Sequence, residues 1–323
     1  MTLIMGDRAT FSALGEEVDV LGIADKTVRG WFRENFRYVD ADTINIVSYI
    51  SKGSGNLTDI FKRKQGKYLG ANDTSATVGY APFTPTELIV KDLEAFTQSH
   101  RFKAQFPVSR EDVKVMAYRN RNSLNLTVAM AMVDRFVEDE KDYFDAKERV
   151  EEAIVTEVGT MIEQRGYPIT DFGIKLNALD VSGRGIDGCY LTVTGTSAEN
   201  GDSGQVGRGN DPAGIIPLNR PMASEAAPGK NPVSHVGKIY NLLCFKMADR
   251  IYREVPGCDE VYTWLLSQIG KPINEPSVAS VQLVASSVDA RMFAATEEIV
   301  VDEFEHLDEF CRDLYEGVAP KVC

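Results

Sequence analysis

The run TPTELIVKDLEAFTQSHRF at residues 84–102, followed by VKVMAY at 113–118 and LNLTVAMAMV at 124–133, sets the architecture. Thr84 is an N-cap candidate, Pro85 suits the first helical position and Glu87 puts an acid in the first turn. The helix they start is expected to run to about Phe102. The next two segments read as strands joined by the polar turn 119–123. Helix, strand, strand recurs further on. Residues 138–165 form a long amphipathic helix ended by Gly166, and 172–181 with 189–194 read as another strand pair. After Pro232 helical spacing runs to Val255, and 261–267 and 279–285 read as strands. This order implies an α+β architecture of repeated layers, each a sheet with helices on one face.

Outside these repeats, residues 2–11 and 43–50 read as strands and 24–36 as a helix with Val28, Trp31 and Phe32 on one face. Residues 296–317 read as one helix with Val300, Phe304, Leu307, Cys311 and Leu314 on one face and a solvated acidic face opposite. The expected division is 1–83, with a long ligand loop, then 84–188 and 189–323.

The 323 residues carry 35 Lys and Arg against 48 Asp and Glu, a formal charge of −13. A dedicated nucleic-acid binder needs a basic face, so that class is set aside. A local basic pocket for a small anion is not. No stretch approaches the roughly 18 apolar residues of a membrane span, and the opening MTLIMGDRATF lacks a signal peptide's basic start. The 5 cysteines are scattered, with no C-x-x-C, as reduced thiols in a cytosolic chain would be.

Two familiar phosphate motifs fail. Gly183-Arg184-Gly185-Ile186-Asp187-Gly188 matches G-x-G-x-x-G, but the strand-like CYLTVTG follows where a helix is required. It reads as a hairpin turn. Gly229-Lys230 has Ser224 where a Walker loop needs glycine.

Three aperiodic stretches hold the candidate chemistry: ANDTSATVGYAP at 71–82, TGTSAENGDSGQVGRGN at 194–210, and RPM with EAAPGKNPVSHVGKIYN at 220–222 and 225–241. In the second, glycines at 201, 204, 207 and 209 allow close backbone approach, with Asp202 and Arg208 near in sequence. In the third, a loop delivers Lys230 before a helix whose amide-rich start favours anions. His235 and Lys238 would share a face of that helix. Arg208, Lys230, His235 and Lys238 can thus converge on a polyphosphate, while Asp73 and Asp202 suit an ammonium group or a divalent ion. Each feature alone also has a plain reading: a structural loop, surface lysines, a structural histidine, and Asp73 as a turn or cap residue.

Together with VKVMAYR, LTVAMAMVDR, YLTVTGTSAENGDSGQVGRGN and LLSQIGKPINEP, these stretches resemble the archaeal-type S-adenosylmethionine synthetases, in family order from about Gly6 to Pro276. The resemblance implies an enzyme that joins ATP and methionine in the cytoplasm. Methionine sulfur displaces triphosphate from C5′, and the triphosphate is then hydrolysed. It implies Mg2+ and K+, three similar domains and a dimer with sites at the subunit interface. By the same resemblance Arg208, Lys230 and Lys238 hold the phosphate chain and His235 is a weaker contact. Asp202 orients methionine, Asp73 lies near methionine and adenosine, and Gly201 and Asn231 are further substrate-binding residues. The resemblance fixes no metal ligands in this sequence.

The family opens with G-H-P-D, and no His-Pro-Asp occurs in this chain. Ser203 replaces an expected aspartate, and Asp211-Pro212-Ala213 replaces an expected basic stretch. The expectation is a chain lacking the family's N-terminal segment, working as a homodimer or with a second chain that supplies it. The reading from another class is a non-catalytic or regulatory subunit that pairs with a complete synthetase.

Overall fold

The computed structural model describes residues 1–60, 67–199, 211–223 and 225–318. They fall into two compact units. One comprises Met1–Gly53 with Pro85–Gly204, and the other Ser54–Thr84 with Gln205–Cys323. Each is interleaved with the other in sequence.

In the first unit the strands Lys114–Asn120 and Ser123–Ala129 form an antiparallel hairpin. Leu124, Leu126 and Val128 are buried and alternate with exposed Asn125 and Thr127, the period-2 pattern of a sheet with one covered face. Asp171–Leu176 adds to the hairpin's second strand in parallel. A parallel neighbour needs a crossover, and the helix Glu140–Gln164 supplies it. Asp139 caps that helix, accepting from Asp142 N at 2.8 Å. Its buried stripe, Tyr143, Ala146, Val150, Ile154 and Val158, follows helical spacing.

This corrects the expected pairing of 172–181 with 189–194. Leu191–Thr192 instead pairs in parallel with Met132–Val133. The glycine motif between them is therefore a connection and not a hairpin turn. It closes on itself through Val181 N donating to Gly188 O at 3.0 Å, and Gly185–Gly188 is a short 3-10 turn with no dinucleotide-type helix after it. The helix expected to reach Phe102 also stops early. Pro85–Gln98 ends, Ser99 accepts from Phe102 N at 3.2 Å, and His100–Gln105 starts anew. The N-terminal part of the unit adds a parallel pair, Thr2–Met5 with Asn45–Ser48, and the helix Val20–Asn35 over a small core of Phe32, Ala41 and Ile44.

In the second unit the strands Val278–Val284, Glu260–Leu266 and Ala76–Ala81 form an antiparallel sheet in that order. Helix Val236–Glu254 lies against it, burying Val236, Ile239, Tyr240, Leu243, Cys244, Met247 and Ile251. Its approach is close because Gly79 has no side chain: a Cβ there would come within 2.3 Å of Cys244 C and Phe245 N. Burial of each large aliphatic side chain contributes about 1.5–3 kcal/mol.

The expected single helix at 296–317 is two helices, Ala290–Glu305 and Leu307–Glu316, broken at His306. The bend keeps Ile299 on one side and Leu307 and Phe310 on the other in one core. The solvated reading of the acidic face also fails at Glu303. That residue is buried, held by Lys246 Nζ at 2.6 Å and Arg250 Nη1 at 2.9 Å. Among the described residues no helix is long and apolar enough to cross a membrane.

Candidate functional site

Three loops meet in the second unit. Residues 69–71 and 270–273 bond through Ala71 N to Lys271 O at 2.7 Å, Gly270 N to Ala71 O at 2.8 Å and Ile273 N to Leu69 O at 3.1 Å. Buried Ser267 fixes the adjoining turn from both sides. Its Oγ donates to Asp73 O at 2.8 Å and accepts from Ser75 N at 2.9 Å. This gives LLSQIGKPINEP a structural role: it braces the segment that carries Asp73.

Asn72 ties that segment to the start of helix Val236–Glu254. Its N–H donates to Ser234 O at 3.1 Å, and its Oδ1 accepts from Val236 N at 3.0 Å. Asn231 orders the approach on the other side, its Oδ1 accepting from Val233 N at 3.1 Å and Ser234 N at 2.9 Å. Such a side-chain turn holds a loop without secondary structure.

The helix start differs from expectation in one respect. His235 is not on the helical face with Lys238; it is the N-cap, with Nδ1 accepting from Gly237 N at 3.2 Å. Lys238 N and Ile239 N donate to His235 O at 3.0 and 3.1 Å. Together with the Asn72 bond, these contacts occupy the first backbone amides that a helix usually leaves open. The anion-attracting groups here are therefore lysine side chains and the helix dipole, not free amides.

Lys230 and Lys238 lie within electrostatic range of each other. Burial, and then the Lys230 charge, holds the Lys238 ammonium below the usual lysine range. Among the described residues Lys238 has no ion-pair partner, while Lys230 Nζ lies 3.5 Å from Glu225 Oε2. Asp73 is exposed, and its Oδ1 accepts from Thr74 N at 2.7 Å, so it serves at least as a turn residue. The structure thus brings the Asn72–Asp73 segment, His235 and the first turn of the Lys238 helix together, with Lys230 beside Lys238. Arg208, Asp202 and Gly201 lie outside the described residues, as does Ser203. Asp211 folds onto its own turn, accepting from Ala213 N at 2.8 Å.

Sequence reasoning missed three residues. Glu225 reaches the helix start from upstream: a Cβ on Gly237 would come 2.9 Å from Glu225 Oε2. Buried Asn241 donates from Nδ2 to Glu225 O at 2.8 Å. Buried Arg220 anchors the preceding loop, donating to Tyr262 Oη at 2.7 Å and Pro82 O at 2.9 Å, with its guanidinium 4.5 Å from the Tyr80 ring centre. A lone Asn inside an apolar helix and an Arg before Pro-Met were the available signals.

In the first unit the lead-in to the glycine-rich stretch is held firmly. Glu199 accepts from Val193 N and Thr194 N, both at 2.7 Å. Burial pushes its carboxyl up, but these bonds and those from threonine hydroxyls outweigh it and hold the group below the usual range. Buried Arg110 donates to Ser197 Oγ and Tyr190 Oη, both at 2.8 Å.

Similarity to known proteins agrees with these motifs. The sequence profile of the S-adenosylmethionine synthetase (AdoMet synthetase) family matches residues 1–318. The S-adenosylmethionine synthase of Hyperthermus butylicus is 40% identical over 307 residues, 94% of this chain and 73% of that protein. That of Methanothrix thermoacetophila is 43% identical over 307 residues, 93% of this chain and 74% of the relative. That of Pyrobaculum islandicum is 39% identical over 321 residues, 98% and 78% of the two chains. An S-adenosylmethionine synthetase structure from Campylobacter jejuni, described as unusual, superposes with a TM-score of 0.58 at 14% identity, covering 95% of this chain and 78% of that one. At that identity it speaks to the α+β fold alone.

Proposed function

The chain belongs to the S-adenosylmethionine synthetase family, and we propose that it makes S-adenosylmethionine by joining ATP to methionine. The sulfur of methionine attacks C5′ of ATP in line with the bond to the triphosphate. The C5′–O bond breaks, its electron pair leaves on the triphosphate, and the sulfur becomes a sulfonium. Water then splits the triphosphate into pyrophosphate and phosphate.

A neutral thioether needs no base to act as nucleophile. The protein must align sulfur, carbon and leaving oxygen, and stabilise the charge that builds on the departing phosphate. Lys230, Lys238 and Arg208 take the second task, with His235 beside them. Asp202 orients methionine through its ammonium group, and Asp73 lies near methionine and adenosine. Gly201 and Asn231 line the substrate. The observation that carries the reading is the pair of lysines at the approach to and in the first turn of helix Val236–Glu254, where burial, and then the nearby Lys230 charge, lowers the basicity of Lys238.

Among the described residues no group of three or more His, Cys, Asp or Glu side chains could hold a metal ion. Mg2+ does not require one: one or two carboxylates, water and substrate phosphate suffice. Exposed Asp73 fits that mode, and Mg2+ bound there through phosphate would screen charge on the triphosphate. K+ is a further proposed cofactor.

The threefold division at 1–83, 84–188 and 189–323 is part of this proposal, and so is assembly with a second copy or another chain. The face of the Glu260–Leu266 sheet turned from the helix supports assembly. Val278 and Val284 are exposed there, beside partly exposed Tyr262 and Trp264.

The test is formation of S-adenosylmethionine from ATP, methionine and Mg2+. Lys230→Met and Lys238→Met are each expected to lower the rate at least tenfold with the fold intact. A wild-type rate in both variants would overturn the assignment.

A further inference from the structure

Glu225 has no role in the displacement, yet its carboxylate sits where an anion should. Oε2 lies 3.5 Å from Lys230 Nζ and against the first turn of helix Val236–Glu254. We infer that Glu225 is a displaceable counter-ion, which neutralises Lys230 in the empty site and gives way to a phosphate group. The inference rests on the polyphosphate reading of the site and adds a device that weakens binding of the phosphate chain.

Three features of the chain suit this role. The backbone of Glu225 is fixed, because Asn241, fully buried, donates to its carbonyl at 2.8 Å and to Gly237 O at 2.7 Å. The carboxylate can therefore leave by side-chain rotation while the loop stays in place. The ion pair is partly solvated, with side-chain exposures of 23% and 27%, so it is weak enough to exchange. The position also lies close against Gly237: a Cβ there would come to 2.9 Å from Oε2 and push the carboxylate aside.

The chemistry gives the exchange a direction. A phosphate chain carries several charges and many acceptor oxygens, against one charge on Glu225, so it wins both lysines. Once the chain is cut to smaller anions that advantage falls, and the returning carboxylate assists their release.

The test is calorimetric titration with inorganic tripolyphosphate, with and without Mg2+, of wild type and the variants E225Q, G237A and K230M. E225Q keeps the shape of the side chain and removes its charge. G237A keeps the charge and removes its seat, at a position where alanine favours the helix. Both are expected to bind tripolyphosphate about two- to fivefold tighter than wild type, and K230M more weakly. E225Q binding no tighter, or more weakly in the presence of Mg2+, would overturn the counter-ion role while leaving the phosphate site standing. Wild type failing to bind tripolyphosphate at all would instead overturn the reading of the site itself.

Discussion

Helix Glu140–Gln164 packs into the core of the first unit, and helix Val236–Glu254 into that of the second. The first opens with Asp139 as cap and Glu140 and Asp142 in its first turn. Glu140 also accepts from Gly183 N at 2.6 Å, so the chain's own acids complement the positive end of that helix. The second has no acid in its first turn, and its caps are Asn72 and His235, neither of them an acid. Lys238 and Lys230 gather there instead, and the acid that reaches Lys230, Glu225, comes from a separate loop. A long buried helix is scaffold in both units. What makes one start a candidate site is that its complement of negative charge is left for something outside the helix to supply.

The largest expected effect separates the two starts. Lys238→Ala is expected to reduce S-adenosylmethionine formation by about 10²–10³-fold, the usual cost of losing one preorganised charge partner of a leaving group. Lys141→Ala, at the exposed first turn of the other helix, is expected to change the rate less than twofold, because Lys141 is largely in solvent and its pair with Asp145 is exposed. Equal losses in steady-state assays would break the comparison.

As scaffolds the two helices are expected to behave alike. Ile154→Ala and Ile251→Ala each remove a fully buried side chain. Each is expected to cost about 2–5 kcal/mol in urea unfolding. A loss confined to one variant would mean that one helix is not core.

The basicity of Lys238 gives a pH signature. Phosphate binding uses the ammonium form, and burial with Lys230 lowers its pKa. Tripolyphosphate affinity should therefore fall as pH rises through a value below the usual lysine range. In Lys230→Met one of the two depressing causes is gone, so the fall should move to higher pH. Titration from neutral to alkaline pH checks this, and an unmoved profile would mean that the two charges do not interact.

The smallest effect is at the caps. Asp139→Ala and Asn72→Ala are each expected to cost about 1 kcal/mol of stability. Only Asn72→Ala should also raise the KM for ATP, because of these two caps Asn72 is the one that ties the segment with Asp73 to its helix.

Much of this was legible in the sequence where the determinants are local. Alternation in LNLTV marks the strand with Leu124, Leu126 and Val128, and Pro85 marks a helix start. The breaks at Ser99 and His306 were not, since helical spacing continues through both and tertiary packing decides where the chain turns. Parallel addition of Asp171–Leu176 to a distant strand has no local signature either. At the site, a lysine before a helix and another in its first turn could be read directly. That His235 would cap the helix, or that Glu225 would fold back onto Gly237, depends on a loop path that no periodicity encodes.

The most direct measurement is a double-mutant cycle on tripolyphosphate affinity with Lys230→Met, Lys238→Met and both together. If the two ammoniums grip one phosphate chain, each single change weakens binding at least tenfold, and the double variant departs from additivity, as neighbours sharing a partner do. Affinity unchanged in either single variant, or losses that simply add, would contradict a shared phosphate site at the start of helix Val236–Glu254.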